Sequence, residues 1–353
     1  MRGMAPTVRA DLANLPDYIP GRKIPGAIVL SSNEVSTPTP PSVLAAMAEA
    51  AASANRYPQM ANDDLLARTS AYTGVPEERL AIGCGSVSLC QQFVQAMCTD
   101  GQEVVFAWRS FEAYPIVTQI AGAVPVRVPL TADYRHDLAA MLAAITDNTR
   151  LVFIANPNNP TGAALHTAEL ERFLDAVPDH VLVVLDEAYR EFVTEPDLPD
   201  GLALADRRDN LAVIRTFSKA YGLAGVRVGY SVAPPAITSG VRKVGIPFSV
   251  SRVAQAAAIA AMDTADELLA RCKPVTVERE RVHAALLDLG FEVPASQANF
   301  VWLPLGDRTA AFNEHCLEQK VVVRAFVGEG ARVTIGLPEE NDAFLAAARS
   351  FSG

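Results

Sequence analysis

"LVFIANPNNPTG", residues 151–162, runs from five consecutive apolar residues straight into a cluster of asparagines, prolines and a glycine. An apolar run with no polar face suits a strand covered on both sides, as in a parallel sheet flanked by helices. The same transition recurs in "VLVVLDEAY", residues 181–189, and in "LAVIRTFSK", residues 211–219. Asn159, Asp186 and Lys219 follow one another at intervals of 27 and 33 residues, each about one strand–helix–strand repeat. In open parallel sheets the carboxyl ends of the strands border the ligand crevice, so the three clusters are predicted to meet there.

On either side of this stretch, "RLAIGC", "EVVFAW", "VPVRVPL" and "VRVGYSV" continue the strand pattern, and "SLCQQFVQAMC" and "HTAELERFLDAV" carry apolar residues at helical spacing. This alternation predicts an α/β domain with a mostly parallel sheet over residues 33–246. Beyond it, long Ala-, Leu- and Glu-rich stretches and the short strands "NFVWLPL", "KVVVRAF" and "ARVTIGL" predict a smaller α+β domain, 247–353. Residues 1–32 include the proline- and glycine-rich "LPDYIPGRKIPG" and read as an arm packing on the small domain.

Composition narrows the partners. A formal net charge of −10 argues against nucleic acid, which needs a clustered basic surface. No apolar run reaches the roughly 18 residues of a membrane span, so no membrane partner is expected. Five cysteines without CxxC spacing fit a reducing cytoplasm, and five scattered histidines give no reason to expect a metal. Small metabolites remain as the expected ligands.

An amine, a carboxylate, a phenol and an amide at one crevice match the needs of pyridoxal 5'-phosphate. Lys219 would form the Schiff base and, once released, shuttle a proton at the substrate α-carbon. Asp186 would pair with the protonated pyridine nitrogen. Tyr189 and Asn159 would hydrogen-bond the ring oxygen. The phosphate needs its own cradle, and "GCGSVSLCQQ", residues 83–92, offers glycines after a strand and then Ser86, Val87 and Ser88 at a helix start, where free N–H groups attract anions. Thr216, Ser218 and Arg227 would complete it.

With these residues in place the sequence resembles the fold-type I pyridoxal-phosphate aminotransferases of the histidinol-phosphate aminotransferase branch. "NPNNPTG", "DEAY" and "TFSKAYGLAGVRVGY" carry the resemblance, which covers nearly the whole chain. That branch commonly has an acidic "GSDE" pattern in its phosphate loop where this chain reads "GSVS". The loop and "WRSFEAYP" are more similar to the actinobacterial aromatic amino acid (phenylalanine) aminotransferases.

The resemblance implies further roles. Tyr57 would cross a homodimer interface to the neighbouring cofactor phosphate, and Phe111 would stack on the pyridine ring. Arg332 would clamp the substrate α-carboxylate with its bidentate fork, while Arg324 and Tyr18 would contact the distal end. The implied reaction is ping-pong transamination between aromatic L-amino acids and a 2-oxo acid such as 2-oxoglutarate. Histidinol phosphate as donor, with Arg324 as phosphate partner, and decarboxylation of an amino-acid phosphate are the competing reactions.

Overall fold

Alternate residues within each central strand point into different cores. In the computed structural model, which describes residues 7–9, 12, 15 and 24–351, Leu151 and Phe153 face one apolar cluster with Phe93 and Val104, while Val152 and Ile154 face a second with Leu170 and Phe173. Leu182 and Val184 divide from Val183 and Leu185 in the same way. An uninterrupted apolar strand is therefore a sandwich filling, wetted on neither side.

Twelve strands are present among the described residues: β1 (Ile28–Val29), β2 (Leu80–Gly83), β3 (Glu103–Trp108), β4 (Val124–Pro129), β5 (Thr149–Ala155), β6 (Leu182–Asp186), β7 (Leu211–Thr216), β8 (Gly229–Val232), β9 (Phe300–Leu303), β10 (Val321–Val322), β11 (Arg324–Phe326) and β12 (Gly330–Thr334). Seven of them form the main sheet in the order β2-β8-β7-β6-β5-β3-β4. All are parallel except β8, which runs against β2 and β7. This is the mostly parallel, helix-flanked sheet that the alternation predicts. Because β5, β6 and β7 are adjacent and parallel, the segments that leave their carboxyl ends are neighbours.

A second, antiparallel sheet has the order β11-β12-β9. Its core gathers Val301, Leu303, Val333, Phe312 and Phe344, with Leu30 reaching in from the N-terminal side. Leu30 is held there because β1 pairs with β10 and the Leu30 carbonyl accepts from Thr334 N. The helix Arg252–Asp263 lies beyond residue 246 but packs on the helices Pro41–Ala51 and Asp63–Thr73, and its alanines share a core with Leu65, Leu80 and Phe217 of the larger body. Among the described residues, no helix is long and apolar enough to cross a membrane, and no group of three metal-ligating side chains occurs.

Candidate active site

The strand ends and the second sheet enclose a cavity of about 330 Å³. Ser86, Val87, Phe111, Asn159, Asp186, Tyr189, Thr216, Ser218, Lys219, Arg227, Arg324 and Arg332 all line it. Of the other expected site residues, one lies elsewhere in this chain. Tyr57 is 78% exposed, its ring tilted 31° against that of Phe248 with centroids 4.7 Å apart. Tyr18 falls outside the described residues.

Each turn that follows a strand sorts its polar residues. In "NPNNPTG", Asn156 spans the loop by bonding Leu165 through both its amide nitrogen and its oxygen, and Asn158 is held by Ser110 and Thr161. Gly162 has φ +77°, and a Cβ there would strike Ser296. Asn159 is thereby turned into the cavity. In "DEAY", Glu187 is directed away into an ion pair with Arg215 and accepts from Gly201 N at 2.8 Å, whereas Asp186 and Tyr189 face the cavity.

Asp186 is 5% exposed, and burial pushes its carboxyl up to about 6. The Tyr114 hydroxyl, donating at 2.9 Å, and the Ala188 N–H oppose that shift by favouring the ionised form. Tyr114 is fixed in turn by its parallel stack on Phe153, with ring centroids 4.5 Å apart. The carboxylate is thus aimed and partly compensated, as a partner for a buried cation requires.

Lys219 leaves the end of β7 and donates to the Ser32 carbonyl at 3.0 Å. Although the residue keeps some surface exposure, loss of hydration around its amine comes first in bringing it down from 10.5 to about 7. The Arg332 and Arg227 charges push the same way, against Glu34 and Asp186. A large fraction of this amine is therefore neutral near pH 7, the form able to attack a carbonyl or accept a proton.

The anion cradle forms where the helix Ser86–Met97 begins behind Gly85. Gly85 has φ +78°, and a Cβ on it would lie 2.2 Å from Arg227 Nη2. The missing side chain is what admits the guanidinium to the helix N-terminus, and Arg227 also donates to Ser218 Oγ at 3.2 Å. Ser88, expected in this cradle, instead donates to the Gly85 carbonyl and steadies the turn from behind.

The opposite wall holds Arg332, 8% exposed, which donates to Asn159 Oδ1 at 2.5 Å and to the Ser31 carbonyl at 2.6 Å. Arg324 pairs with Glu112 at 2.8 Å. Several participants escape the reading of the sequence. Asn33 donates to the Tyr189 hydroxyl at 2.8 Å and is tied to Thr334 through both its N–H and its side-chain oxygen. Ser31, Ser32 and Asn33 follow the apolar "IVL" of β1 and Leu30, so the signal that exposes the other three clusters was present there too. Tyr114 and Glu112 carry no such signal.

The residues fit pyridoxal phosphate: an amine with a depressed pKa, an aimed buried carboxylate and a cradle that a single Cβ would fill belong to one cavity. Comparison with known proteins gives the class. The model of the class I and II aminotransferases matches residues 25–348, and the chain belongs to that family. A relative from Rhodococcus jostii named aromatic amino acid aminotransferase is 60% identical over 98% of this chain and 96% of its own length. One of the same name from Mycobacteroides abscessus is 53% identical over 99% of this chain and 100% of its own. Among solved structures, histidinol-phosphate aminotransferase from Sinorhizobium meliloti in complex with pyridoxal-5'-phosphate superposes with a TM-score of 0.89 at 30% identity, covering 97% of this chain and 96% of that one.

Proposed function

We propose that this aminotransferase uses pyridoxal 5'-phosphate to transfer the amino group of aromatic L-amino acids to a 2-oxo acid, as a cytoplasmic homodimer. The observation that carries the reading is the meeting of Lys219, Asp186, Tyr189, Asn159 and the Gly85–Arg227 cradle in one cavity, opposite Arg332. The names of the relatives, at 52–60% identity, support the aromatic donor.

When bound, pyridoxal phosphate supplies an electron sink that labilises the hydrogen on the substrate α-carbon. Ser86 and Val87, at the start of their helix, hold its phosphate together with Thr216, Ser218 and Arg227. Asp186 holds the ring nitrogen, and Tyr189 and Asn159 hold the ring oxygen. Phe111 covers the ring, with its own edge set against Tyr114 at 86°. Lys219 Nζ, in its neutral form, takes the proton from the substrate α-carbon. Arg332 orients that carbon by gripping the α-carboxylate. Arg324 lies beside Arg332 at the same end of the substrate. Tyr57, exposed on one copy beside Phe248, reaches the phosphate site of a second copy.

Single-turnover mixing of the cofactor-loaded protein with L-phenylalanine and, separately, with L-histidinol phosphate tests the donor. The reading expects faster loss of the cofactor absorbance with phenylalanine; preference for histidinol phosphate would move the enzyme to histidine synthesis. The likeness to the Sinorhizobium meliloti enzyme is the observation that keeps this second donor in the test. A monomer by analytical ultracentrifugation at working concentration would remove the dimer.

A further inference from the structure

Arg324 and Arg332 are register partners in the antiparallel pair β11–β12. Directly opposite residues in such a pair project from the same face with Cβ atoms about 5 Å apart, and like charges placed so are unfavourable without a counter-charge. Both side chains line the cavity. Two facing guanidiniums make a site suited to a dianion. A phosphate monoester, which carries about −1.5 to −2 at pH 7, would satisfy both, whereas an amino acid α-carboxylate brings a single charge.

Across the cleft, the segment 109–112 answers this pair. Glu112 Oε2 accepts from Arg324 Nη2 at 2.8 Å. Three residues earlier, Arg109 forms its own ion pair with Glu329, in the turn between β11 and β12, with its Nε donating at 2.6 Å. The two bonds run in opposite senses, acid to base and base to acid, and lay the segment along the hairpin. Glu112 therefore supplies, from within the protein, the second negative charge that a phosphate would bring.

We propose that Glu112 is a specificity-determining residue: by pairing with Arg324 it leaves the α-carboxylate grip to Arg332 and disfavours donors whose anionic end is a phosphate monoester. The inference rests on the transamination reading above and adds the charge of the substrate's anionic end to it. It concerns Glu112 alone, since Arg324 and Arg332 belong to the cavity in either case.

Two ligands that lack an amino group, and so never react, test it on the cofactor-loaded protein by calorimetry. 3-Phenylpropionate ends in a carboxylate; 3-phenylpropyl phosphate carries the same ring and ends in a phosphate. Glu112→Gln removes one charge next to Arg324 and should strengthen the phosphate ligand relative to the carboxylate ligand by about tenfold or more. The ratio of single-turnover rate constants for L-histidinol phosphate and L-phenylalanine should shift in the same direction. Glu329→Gln breaks the other ion pair and should leave both ratios within about twofold, well under the tenfold that 1.4 kcal/mol represents. Glu112→Ala serves if the glutamine variant folds poorly. Unchanged ratios in both Glu112 variants, or an equal shift in Glu329→Gln, would overturn the proposal. A wild-type protein that leaves phenylalanine unconverted would remove the transamination reading, while the ratio of the two unreactive ligands would still decide the role of Glu112.

Discussion

On one wall of the cleft, Asn159, Asp186 and Lys219 sit at or just past the carboxyl ends of three adjacent parallel strands; on the other, Arg324 and Arg332 face each other across an antiparallel pair and are met by Glu112, Asn159 and Ser31 from distant parts of the chain. The first wall is assembled by repetition, each residue delivered by its own strand. The second depends on register and on partners more than a hundred residues away. The positions of the first wall are set by neighbouring strands of one sheet. Glu112, proposed to select the substrate, lies outside any strand, where one substitution can alter a charge without disturbing a sheet.

Substitution of Lys219 gives the largest contrast between the walls. Lys219→Ala should reduce steady-state transamination by about 10³-fold or more, since the group proposed to move the α-proton is lost. A near-normal rate would break the division into a chemical and a selecting wall. Arg332→Lys, on the opposite side, should lower kcat/KM for phenylalanine by about 10- to 100-fold through loss of a bidentate charged grip, with the cofactor absorbance of the loaded protein unaltered. An altered absorbance would show that this wall also tunes the cofactor.

The smallest effect lies in stability. Lys219 has its pKa lowered from 10.5 to about 7 in the fold. Below about pH 7 the folded protein carries the poorly hydrated ammonium and bears the full penalty. As the pH rises from about 7 towards 10.5, the unfolded chain binds the extra proton and the penalty fades. In the cofactor-free protein, Lys219→Met should therefore raise Tm by about 2 °C more at about pH 6.5 than at about pH 9.5. Equal gains at both values in thermal melts would mean that the amine keeps its ordinary hydration.

Legibility in the sequence follows the same division. The sheet and the lysine, aspartate, tyrosine and asparagine of the first wall could be read because a strand buried on both faces is apolar throughout, so its first polar residue marks the ligand end. Inside "DEAY", however, only the fold shows what the neighbouring Glu187 does, which is to pair with Arg215. Tyr114 was hidden because a phenol in the helix Ala113–Ile120 looks like any other core aromatic until its hydroxyl is found on Asp186. Arg324 and Arg332 could each be singled out by resemblance, but their mutual opposition is a matter of β11–β12 register, and the Glu112 contact joins positions 212 apart in the chain.

The segment 31–33 belongs to neither wall and touches both. The Ser31 carbonyl accepts from Arg332 and the Ser32 carbonyl from Lys219, while Asn33, at a left-handed φ of 56°, donates its amide to Tyr189. Three cavity-lining side chains thus share one short stretch of backbone. Their energies are not separable: variants at Lys219, Tyr189 and Arg332 will fail to add when combined, because each alters the seat on which the other two rest.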